Sequence, residues 1–539
     1  MGYEFIQKTI PEQLAMMSEI SPDKTAYLFP AENKRLSFKE IEEHANQTAK
    51  ALLALGLRHG DHIGIWSYNC SAWIELLFGA SKIGVVIVPL NTCYKYEELD
   101  DLCIRGDLNT LFLMEKFNGQ SFHEITKHFF EKEEIKKRYP YLHHVVSLEP
   151  ESEKPRLGWN EFIKKGECIS NCELEKAMLK VKNQDDYLIQ YTSGTTSKPK
   201  GAVLYQYGAM NTANAYAHLL HLDEKDCTCV PLPLFHCFGN ILTLLGGLIS
   251  GSTTIYLSYF SPRQMLTIMQ EEHCTCMMGV PTMYFSMLGT PGFENYDLDS
   301  LEKAGIGGSV CPYELCKQIS KGFQIDGLII GYGLSEAASL CTLSDISEKE
   351  EQRIGSVGKA LPGLEVSLAD TSGKENPHIS EGELLIRGYG VMKYYYKDVE
   401  HTAATLDKDG WLHSGDLGRR NEDGTFQVIG RLKDIIIKGG ENISPSSIEE
   451  RLLSMDNVRE CQCVGVPDKK YGETVCACII SKDGNTIGLK EVRDYLKNKI
   501  SDYRIPDYVL TMEAFPINGS GKIIKTKLAE VAKSLLNLG

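Results

Sequence analysis

The sequence has little that would tie it to a membrane. Residues 227–262 contain no Asp, Glu, Lys or Arg. However, a membrane-spanning helix needs about 20 consecutive apolar residues, and Pro231, Pro233 and His236 interrupt this stretch. We interpret the stretch as a buried loop, a helix near 238–250 and a strand near 253–257. The N-terminus lacks the apolar core of a signal peptide, so we expect a cytoplasmic protein without a transmembrane segment, with peripheral membrane contact left open.

Basic residues are too few for a general nucleic-acid-binding protein. The chain has 57 Lys and Arg against 72 Asp and Glu, a formal net charge of −15, and no basic tract. Its hydrophobic content of 42% and charged content of 24% are ordinary for a globular protein. Because 539 residues exceed what one hydrophobic core organises, we expect at least two domains.

The 17 cysteines lack the spacing of a structural zinc site. Zinc ribbons use Cys-x₂-Cys pairs, whereas this chain has four Cys-x-Cys pairs, a spacing that on a strand places both thiols on one face. Three of the four lie in apolar, strand-like stretches. We therefore interpret them as reduced core cysteines of a protein in a reducing compartment. The pairs begin at Cys227, Cys274, Cys461 and Cys476.

Helical and strand-like patterns alternate through the first part of the chain. Apolar residues at helical spacing in 37–57 precede a strand-like run at 61–68, and a helical pattern at 72–84 precedes another such run at 85–91. This order predicts a large N-terminal layered α/β domain with a largely parallel sheet. Short strands and glycine turns around 353–430 indicate a β-rich subdomain.

A separate unit is predicted after residues 430–434. Ser444 and Pro445 suit the N-cap and the first turn of a helix. Strands are predicted at 458–468 and 473–484, and a second helix at 489–501. The fold class is therefore α/β, with a small α+β C-terminal domain added to the large N-terminal one.

Residues 191–201 (YTSGTTSKPKG) combine hydroxyl groups, glycines and lysines between a strand-like and a helical segment. The stretch is not a Walker A loop, because Pro199 stands five positions after Gly194 where that motif requires glycine. Even so, freed backbone N–H groups, hydroxyls and ammonium groups suit a polyphosphate. A solvated turn is the alternative.

Four further motifs each allow a functional and a structural interpretation. In 331–337 (GYGLSEA) an aromatic ring suits a base and a carboxylate suits Mg²⁺, although the serine could simply cap a helix. In 415–418 (GDLG) the aspartate could bind a ribose diol or cap its own turn. Residues 430–445 (GRLKDIIIKGGENISP) and 516–528 (PINGSGKIIKTKL) carry basic residues beside glycine turns.

Together and in this order, the five motifs resemble those of the adenylate-forming superfamily. That family includes acyl- and aryl-CoA ligases, peptide-synthetase adenylation domains and beetle luciferases. The resemblance covers essentially the whole chain and is strongest to fatty-acid–CoA ligases. It implies an ATP- and Mg²⁺-dependent enzyme that forms acyl-AMP and pyrophosphate, and then acyl-CoA and AMP with coenzyme A. It also implies an AMP-binding domain at 1–430, a hinge at 431–433 and a mobile lid domain at 434–539.

The resemblance assigns roles to individual residues. Ser335 is expected to touch the α-phosphate and Glu336 to bind Mg²⁺, while Lys522 enters from the small domain and stabilises developing charge. Lys433 is the hinge residue. The polyphosphate is expected to contact Thr192, Ser193, Gly194, Thr195, Thr196 and Lys200. The adenosine is expected to contact Gly307, Gly308, Ser309, Tyr332, Asp416 and Arg431. The turn that would line the thiol tunnel for coenzyme A contains Gly439 and Gly440.

The expected acid is apolar. Peptide-synthetase domains that activate α-amino acids usually carry an Asp shortly after a Phe, whereas His236 follows Phe235 here and no carboxylate lies in 227–262. We expect a medium- or long-chain fatty acid, with an aryl acid as the alternative. His236 would line or gate the pocket, unless it is simply a core histidine. The expected pocket residues are Phe235, Cys237, Phe238, Met278, Gly279, Val280 and Pro281.

Two positions depart from the family pattern, and several alternatives stay open. Ser335 replaces the more common Thr and keeps the hydroxyl. Ser197 replaces a glycine and lacks its freedom at positive φ, which puts ATP affinity in question. A carrier protein could replace coenzyme A, and the chain could be a monomer or a homodimer. A non-catalytic nucleotide-binding protein and a luciferase-like oxygenase are the alternatives of other classes.

Overall fold

The structure is a computed structural model, and it describes residues 3–117, 119–126, 138–152, 156–192, 199–308, 313–439, 441–497, 499–517 and 523–538. The chain divides into two compact units. The larger comprises Met1–Gly308, Gln318–Val366 and Ile386–Leu412, and the smaller comprises Ser309–Lys317, Ser367–Leu385 and His413–Gly539. Both units combine helices and sheets, which confirms the predicted mixed α/β class with a large and a small part.

The larger unit contains a nine-stranded sheet whose six central strands are parallel. Parallel strands need crossover connections, and helices between successive strands supply them. In spatial order the strands are Lys359–Ala360, Thr342–Leu343, Gly327–Tyr332, Lys303–Ile306, Cys276–Gly279, Cys227–Val230, Thr253–Tyr256, Thr25–Phe29 and Lys34–Ser37.

A second, six-stranded sheet of the larger unit is parallel except at one edge, where the first strand pairs antiparallel with the second. Its order is Lys200–Tyr205, Asp186–Thr192, Val86–Pro89, His62–Trp66, Leu108–Leu113 and His144–Ser147. The largely parallel character predicted from the alternating pattern is confirmed in both sheets. A short ribbon pairs Lys116–Phe117 with Gln120–Ser121.

Local signals in the sequence set many helix ends. Ser37 and Glu40 form a capping box at the start of one helix, and Gly84 ends the next at a φ of +69°. None of the helices in the described part of the chain is long and apolar enough to span a bilayer. The α-helices of the described residues up to 405 are Ile10–Ile20, Phe38–Ala54, Ser71–Ile83, Tyr96–Arg105, Phe122–Thr126, Trp159–Lys165, Asn171–Met178, Gln206–Leu219, Leu244–Ser250, Pro262–Glu271, Pro281–Leu288, Tyr313–Phe323, Glu350–Gly355 and Val399–Thr405. A π-helix, Phe238–Thr243, precedes Leu244–Ser250.

The C-terminal part of the chain contains two further sheets. As predicted for the β-rich segment, four short strands form one sheet, in the order Glu365–Ala369, Glu381–Arg387, Leu412–Arg420 and Phe426–Arg431. The other sheet has the order Glu441–Ile443, Ile436–Lys438, Gly472–Ser481 and Val458–Asp468, with Tyr508–Thr511 parallel to Gly472–Ser481. The α-helices in the described residues after 405 are Ser446–Leu453, Leu489–Leu496 and Lys525–Leu535.

One predicted helix cap is wrong. The helix Ser446–Leu453 has Pro445 at its N-cap position, with no capping bond from that side chain. The Ser444 hydroxyl instead donates to the carbonyl of Ile429. A neighbouring strand thus supplies an acceptor for this hydroxyl, which the local sequence does not reveal.

The paired cysteines lie mostly in the core. All eight cysteines of the Cys-x-Cys pairs are free thiols, and seven of them are buried, whereas Cys227 is half-buried. The sulfurs of Cys227 and Cys274 lie 4.0 Å apart, which is a contact between thiols and not a disulfide.

Candidate active site

Four parallel strands of the nine-stranded sheet end at the same edge, and predicted site residues follow their carboxyl ends. Gly307 and Gly308 follow one strand, and Ser335 and Glu336 follow another closely. In open α/β sheets, ligands bind in the crevice outside the carboxyl ends of the strands. The four strands are Cys227–Val230, Cys276–Gly279, Lys303–Ile306 and Gly327–Tyr332.

Glu336 lies where the two sheets of the larger unit meet. It sits in the one-turn 3₁₀-helix Ser335–Ala337. Its Oε1 accepts a hydrogen bond from the Tyr395 hydroxyl at 2.8 Å and a longer one from Thr192 Oγ1 at 3.4 Å. Thr192 ends a strand of the six-stranded sheet. Two residues predicted from motifs far apart in the sequence are therefore in contact.

Ser335 contacts the segment that was predicted to line the acyl pocket. The Cys237 thiol donates to Ser335 Oγ at 3.6 Å, and Cys237 is almost fully buried. His236 Nδ1 accepts from the backbone N–H of Phe238 at 3.2 Å. In the neutral imidazole this acceptor role places the ring proton on Nε2.

Two buried amides that sequence analysis missed hold this segment in place. Asn69 donates to the carbonyls of Leu232 and Leu257, both at 2.8 Å, and accepts from the N–H of Leu234 at 2.7 Å. Gln190 Nε2 donates to the carbonyl of Phe235 at 3.1 Å. A π-helix follows the segment, and π-turns inside helices frequently occur at functional sites.

Phe238 links the predicted acyl and adenine regions. A Cβ placed on Gly307 would lie 2.9 Å from Phe238 Cε1, so the ring packs directly on the glycine backbone. Gly308 has a φ of +80°, which a side chain would disfavour. Tyr332 ends its strand with only 9% of its surface exposed, and its backbone pairs with Thr342.

Most of the other predicted pocket residues are buried near the end of one strand. Met278 is 1% exposed, and its sulfur would lie 2.4 Å from a Cβ on Gly305 of the neighbouring strand. Gly279 ends the strand, and a Cβ there would lie 3.1 Å from the Tyr284 ring. The next two residues, Val280 and Pro281, are the N-cap and the first residue of the following helix.

The two ends of the predicted phosphate loop share a contact with Arg105. Its guanidinium lies 5.7 Å from the centre of the Tyr191 ring and donates to the carbonyl of Pro199 at 3.0 Å. Lys200 pairs with Thr192 in the sheet, and its Nζ lies 5.2 Å from the Tyr395 ring centre. The loop residues Ser193, Gly194, Thr195, Thr196, Ser197 and Lys198 lie outside the described part, and so does Ser309.

In the smaller unit, the two residues that are predicted to bind the ribose are in contact. Asp416 and Arg431 are register partners on adjacent strands, and Arg431 Nε lies 2.9 Å from Asp416 Oδ1. Lys433 lies in the 3₁₀-helix Leu432–Asp434. Gly439 has a φ of +61° beside the Tyr471 ring. Gly440 and Lys522 lie outside the described residues.

Two known family models match this chain. Residues 16–396 match the family model of the AMP-binding enzyme, and residues 447–522 match that of the AMP-binding enzyme C-terminal domain. The chain belongs to the AMP-binding enzyme family. The predicted family is thereby confirmed.

The similarity to individual proteins extends over nearly the whole chain. "Putative acyl-CoA synthetase YngI" of Bacillus subtilis is 36% identical over 543 residues, covering 99% of each chain. "Medium-chain acyl-CoA ligase ACSF2, mitochondrial" of Danio rerio is 34% identical over 546 residues, covering 98% of this chain and 89% of the relative. These similarities confirm the prediction of an AMP-forming acid–CoA ligase type of enzyme.

A solved structure supports the fold of the AMP-binding enzyme. The crystal structure of the anthranilate CoA ligase AuaEII in complex with anthranoyl-AMP superimposes with a TM-score of 0.87 at 24% identity. The superposition covers 99% of this chain and 98% of that one. At this identity the likeness shows that the two proteins share a fold.

The oxygen atoms around Glu336 suit the Mg²⁺ that is predicted together with ATP. Mg²⁺ prefers oxygen ligands and is usually bound through one or two carboxylates together with substrate phosphates. The Glu336 carboxylate and the Thr192 hydroxyl supply such oxygens. A donor set of this kind fits a metal whose other ligands are phosphate oxygens. Within the described ranges no group of three or more His, Cys, Asp or Glu side chains could hold a metal ion.

The hydroxyl of Tyr395 is a donor to this carboxylate at neutral pH. Burial, followed by the negative charge of Glu336, raises the pKa of Tyr395 well above its usual value. The proton therefore stays on the phenol, and Glu336 Oε1 accepts the hydrogen bond. No motif marked Tyr395, although its position in a run of three tyrosines is visible in the sequence.

Proposed function

We propose that this AMP-binding enzyme is an ATP- and Mg²⁺-dependent ligase that joins an apolar carboxylic acid to coenzyme A. The observation that carries the proposal is the contact of Glu336 with Thr192 at the carboxyl edge of the parallel strands. Residues expected to bind the metal and the polyphosphate come together there. A nucleotide bound at this edge would present its α-phosphate near Ser335.

In the first step, a carboxylate oxygen of the acid attacks the α-phosphorus of ATP. The bond to the bridging oxygen of pyrophosphate breaks, and acyl-AMP forms. Charge builds on the α-phosphoryl oxygens and the leaving group, where Ser335 and Lys522 would stabilise it. When bound, Mg²⁺ neutralises phosphate charge. The role of the residues from Thr192 to Lys200 is to hold the pyrophosphate part.

In the second step, the thiol of coenzyme A attacks the mixed anhydride and releases AMP. We propose that residues 1–430 form the AMP-binding domain and that residues 434–539 turn about a hinge at 431–433 between the steps. Lys522 would serve adenylation, and the turn at Gly439 and Gly440 would line the path of the thiol. Asp416 and Arg431 would hold the ribose.

For the acid we propose a medium- or long-chain fatty acid. Phe235, Met278 and Pro281 are buried and apolar, and the charge-free stretch 227–262 offers no partner for a substrate ammonium group. The name of the relative from Danio rerio points the same way. An aryl acid is the second candidate, and His236 would line or gate either pocket.

Relatives include bacterial and mitochondrial proteins, and we propose a cytoplasmic location.

A pyrophosphate-release screen tests the proposal. Purified protein receives ATP and Mg²⁺ with fatty, branched or aryl acids, with and without coenzyme A. We expect acid-dependent pyrophosphate release and consumption of free thiol with medium or long fatty acids. The Glu336→Gln variant, purified in parallel, controls for contaminating synthetases.

Each alternative gives a different result in this screen. Pyrophosphate release without consumption of coenzyme A would favour a carrier protein as the acceptor. A preference for aryl acids would replace the fatty-acid assignment. Light or O₂ uptake would indicate an oxygenase. Absence of acid-dependent pyrophosphate release across the whole set would contradict the ligase and leave a non-catalytic nucleotide-binding protein.

A further inference from the structure

Tyr395 contacts two charged groups that belong to different motifs. Its hydroxyl donates to Glu336 Oε1 at 2.8 Å, and its ring centre lies 5.2 Å from the ammonium group of Lys200, within the range of a cation–π contact. Tyr395 itself is only 5% exposed. A single buried side chain therefore touches both a predicted metal ligand and a predicted phosphate ligand.

The backbone around Tyr395 is fixed to the strand that follows the phosphate loop. Tyr395 forms an antiparallel bridge with Ala202. On either side of that bridge, the N–H of Val203 donates to the carbonyl of Tyr394 at 3.0 Å, and the N–H of Tyr396 donates to the carbonyl of Gly201 at 2.8 Å. The position of the Tyr395 side chain is therefore set by the same strand that carries Lys200.

The contacts give each charged group a neutral partner. The Lys200 ammonium and the Glu336 carboxylate have opposite charges. Without a neutral partner, they could pair with each other instead of binding a nucleotide and its metal ion. The ring face attracts the ammonium, and the phenol donates to one carboxylate oxygen. Among the residues that the structure describes, none donates a hydrogen bond to the other oxygen, which can therefore bind a cation. Holding ligands in place before the substrate arrives lowers the cost of binding.

We propose that Tyr395 is a positioning residue for the first half-reaction, holding Glu336 for the Mg²⁺ of ATP and Lys200 for its phosphates. This inference rests on the proposed function in taking ATP with Mg²⁺ as the substrate. The phenol acts through Glu336 and the ring acts through Lys200. Removing each part separately should therefore have different effects.

Calorimetric titration of the full chain with ATP, with and without Mg²⁺, separates the two parts. Mg²⁺ is expected to raise the affinity of the wild-type protein for ATP. For Tyr395→Phe we expect this increase to be about tenfold smaller, because a hydrogen bond to a charged group is lost. The affinity for ATP without Mg²⁺ should stay the same. For Tyr395→Leu, which also removes the ring, we expect both affinities to fall. Thermal unfolding of each variant checks that it is folded.

Neighbouring Tyr396 provides a matched control. Its hydroxyl donates to Asp107 Oδ2 at 2.7 Å, a carboxylate outside the candidate site. Tyr396→Phe thus removes a hydroxyl–carboxylate bond of nearly equal length from the adjacent residue. We expect this variant to bind ATP with wild-type affinity whether or not Mg²⁺ is present.

The half-reactions supply a second readout. With Tyr395→Phe, kcat/KM for acid-dependent pyrophosphate release should fall about tenfold, while thioester formation from supplied acyl-AMP should stay near wild type. Unchanged Mg²⁺-dependent ATP affinity in Tyr395→Phe, or an equal loss in Tyr396→Phe, would overturn the inference. The titration needs neither acid nor coenzyme A, so a wild-type protein without ligase activity would refute the proposed function and leave this result standing.

Discussion

Arg105 shows how a single side chain outside any motif can hold a motif in place. It contacts Tyr191 before the phosphate loop and Pro199 after it, and Asp101 one helical turn earlier accepts from its Nε at 2.7 Å. We expect Arg105→Ala to raise KM for ATP about fivefold to tenfold, because the loss of a charge-assisted hydrogen bond frees one end of the loop. Steady-state kinetics with each substrate varied in turn measures this.

Arg58 serves as the control for this substitution. Its guanidinium also donates to backbone carbonyls, those of Leu53 and Leu57, but it has no contact with the loop ends among the hydrogen bonds of the described residues. Arg58→Ala should leave KM for ATP unchanged. A fall in kcat for Arg105→Ala with no change in KM for ATP would contradict the positioning role.

The motif residues could be predicted from the sequence, but the residues that support them could not. Thr192 and Glu336 stand in short segments with recognisable chemistry, and the structure brings them together. Asn69 and Tyr395 lie in segments without such a signal. Their roles come from contacts that are distant in the sequence, 163 residues for Asn69 to Leu232 and 59 for Tyr395 to Glu336.

Secondary-structure elements followed the local pattern closely, whereas their order in the sheets did not. The predicted helical stretches 37–57 and 72–84 correspond to the helices Phe38–Ala54 and Ser71–Ile83. The sheet places Cys227–Val230 between Thr253–Tyr256 and Cys276–Gly279, an arrangement decided by packing. The π-helix Phe238–Thr243 was predicted only as part of a helix, because the pattern of apolar residues hardly distinguishes one extra residue per turn.

In the C-terminal sheet, Asp507 joins several elements. It accepts from Lys438 Nζ at 2.5 Å, from Thr474 and from Arg493 at 2.9 Å. Partial burial would raise the pKa of Asp507, but these hydrogen bonds and charges outweigh it and hold the pKa below its usual value. A carboxyl group with a depressed folded-state pKa stabilises the fold above its unfolded pKa, and loses that effect as the pH falls through the folded-state value.

We therefore expect Asp507→Asn to lower the free energy of unfolding by about 2 kcal/mol at pH 7, since it leaves the buried Lys438 without its charged partner. The difference from wild type should shrink as the pH falls below about 4, where the carboxyl of the unfolded chain is protonated. Urea unfolding at several pH values measures it. Asp483→Asn, in an exposed turn, is the control, and a pH-independent difference for Asp507→Asn would argue against the ion pair.

At the scale of the whole molecule, the proposed site residues are distributed over both units. Glu336, Thr192 and the apolar residues around Phe235 belong to the larger unit, whereas Asp416 and Arg431 belong to the smaller one. A reaction with two different nucleophiles, a carboxylate and then a thiol, can use such a division if each step requires a different set from the smaller unit.

Lys522 tests this division of labour. If it stabilises charge only while pyrophosphate leaves, we expect Lys522→Ala to lower acid-dependent pyrophosphate release by about a hundredfold or more, and to leave thioester formation from supplied acyl-AMP largely intact. Single-turnover assays of the two half-reactions measure this. Exposed Lys527, five residues later, is the matched control, and Lys527→Ala should change neither rate. An equal fall in the rates of both half-reactions in Lys522→Ala would rule out a role confined to adenylation, because Lys522 would then act in thioester formation as well.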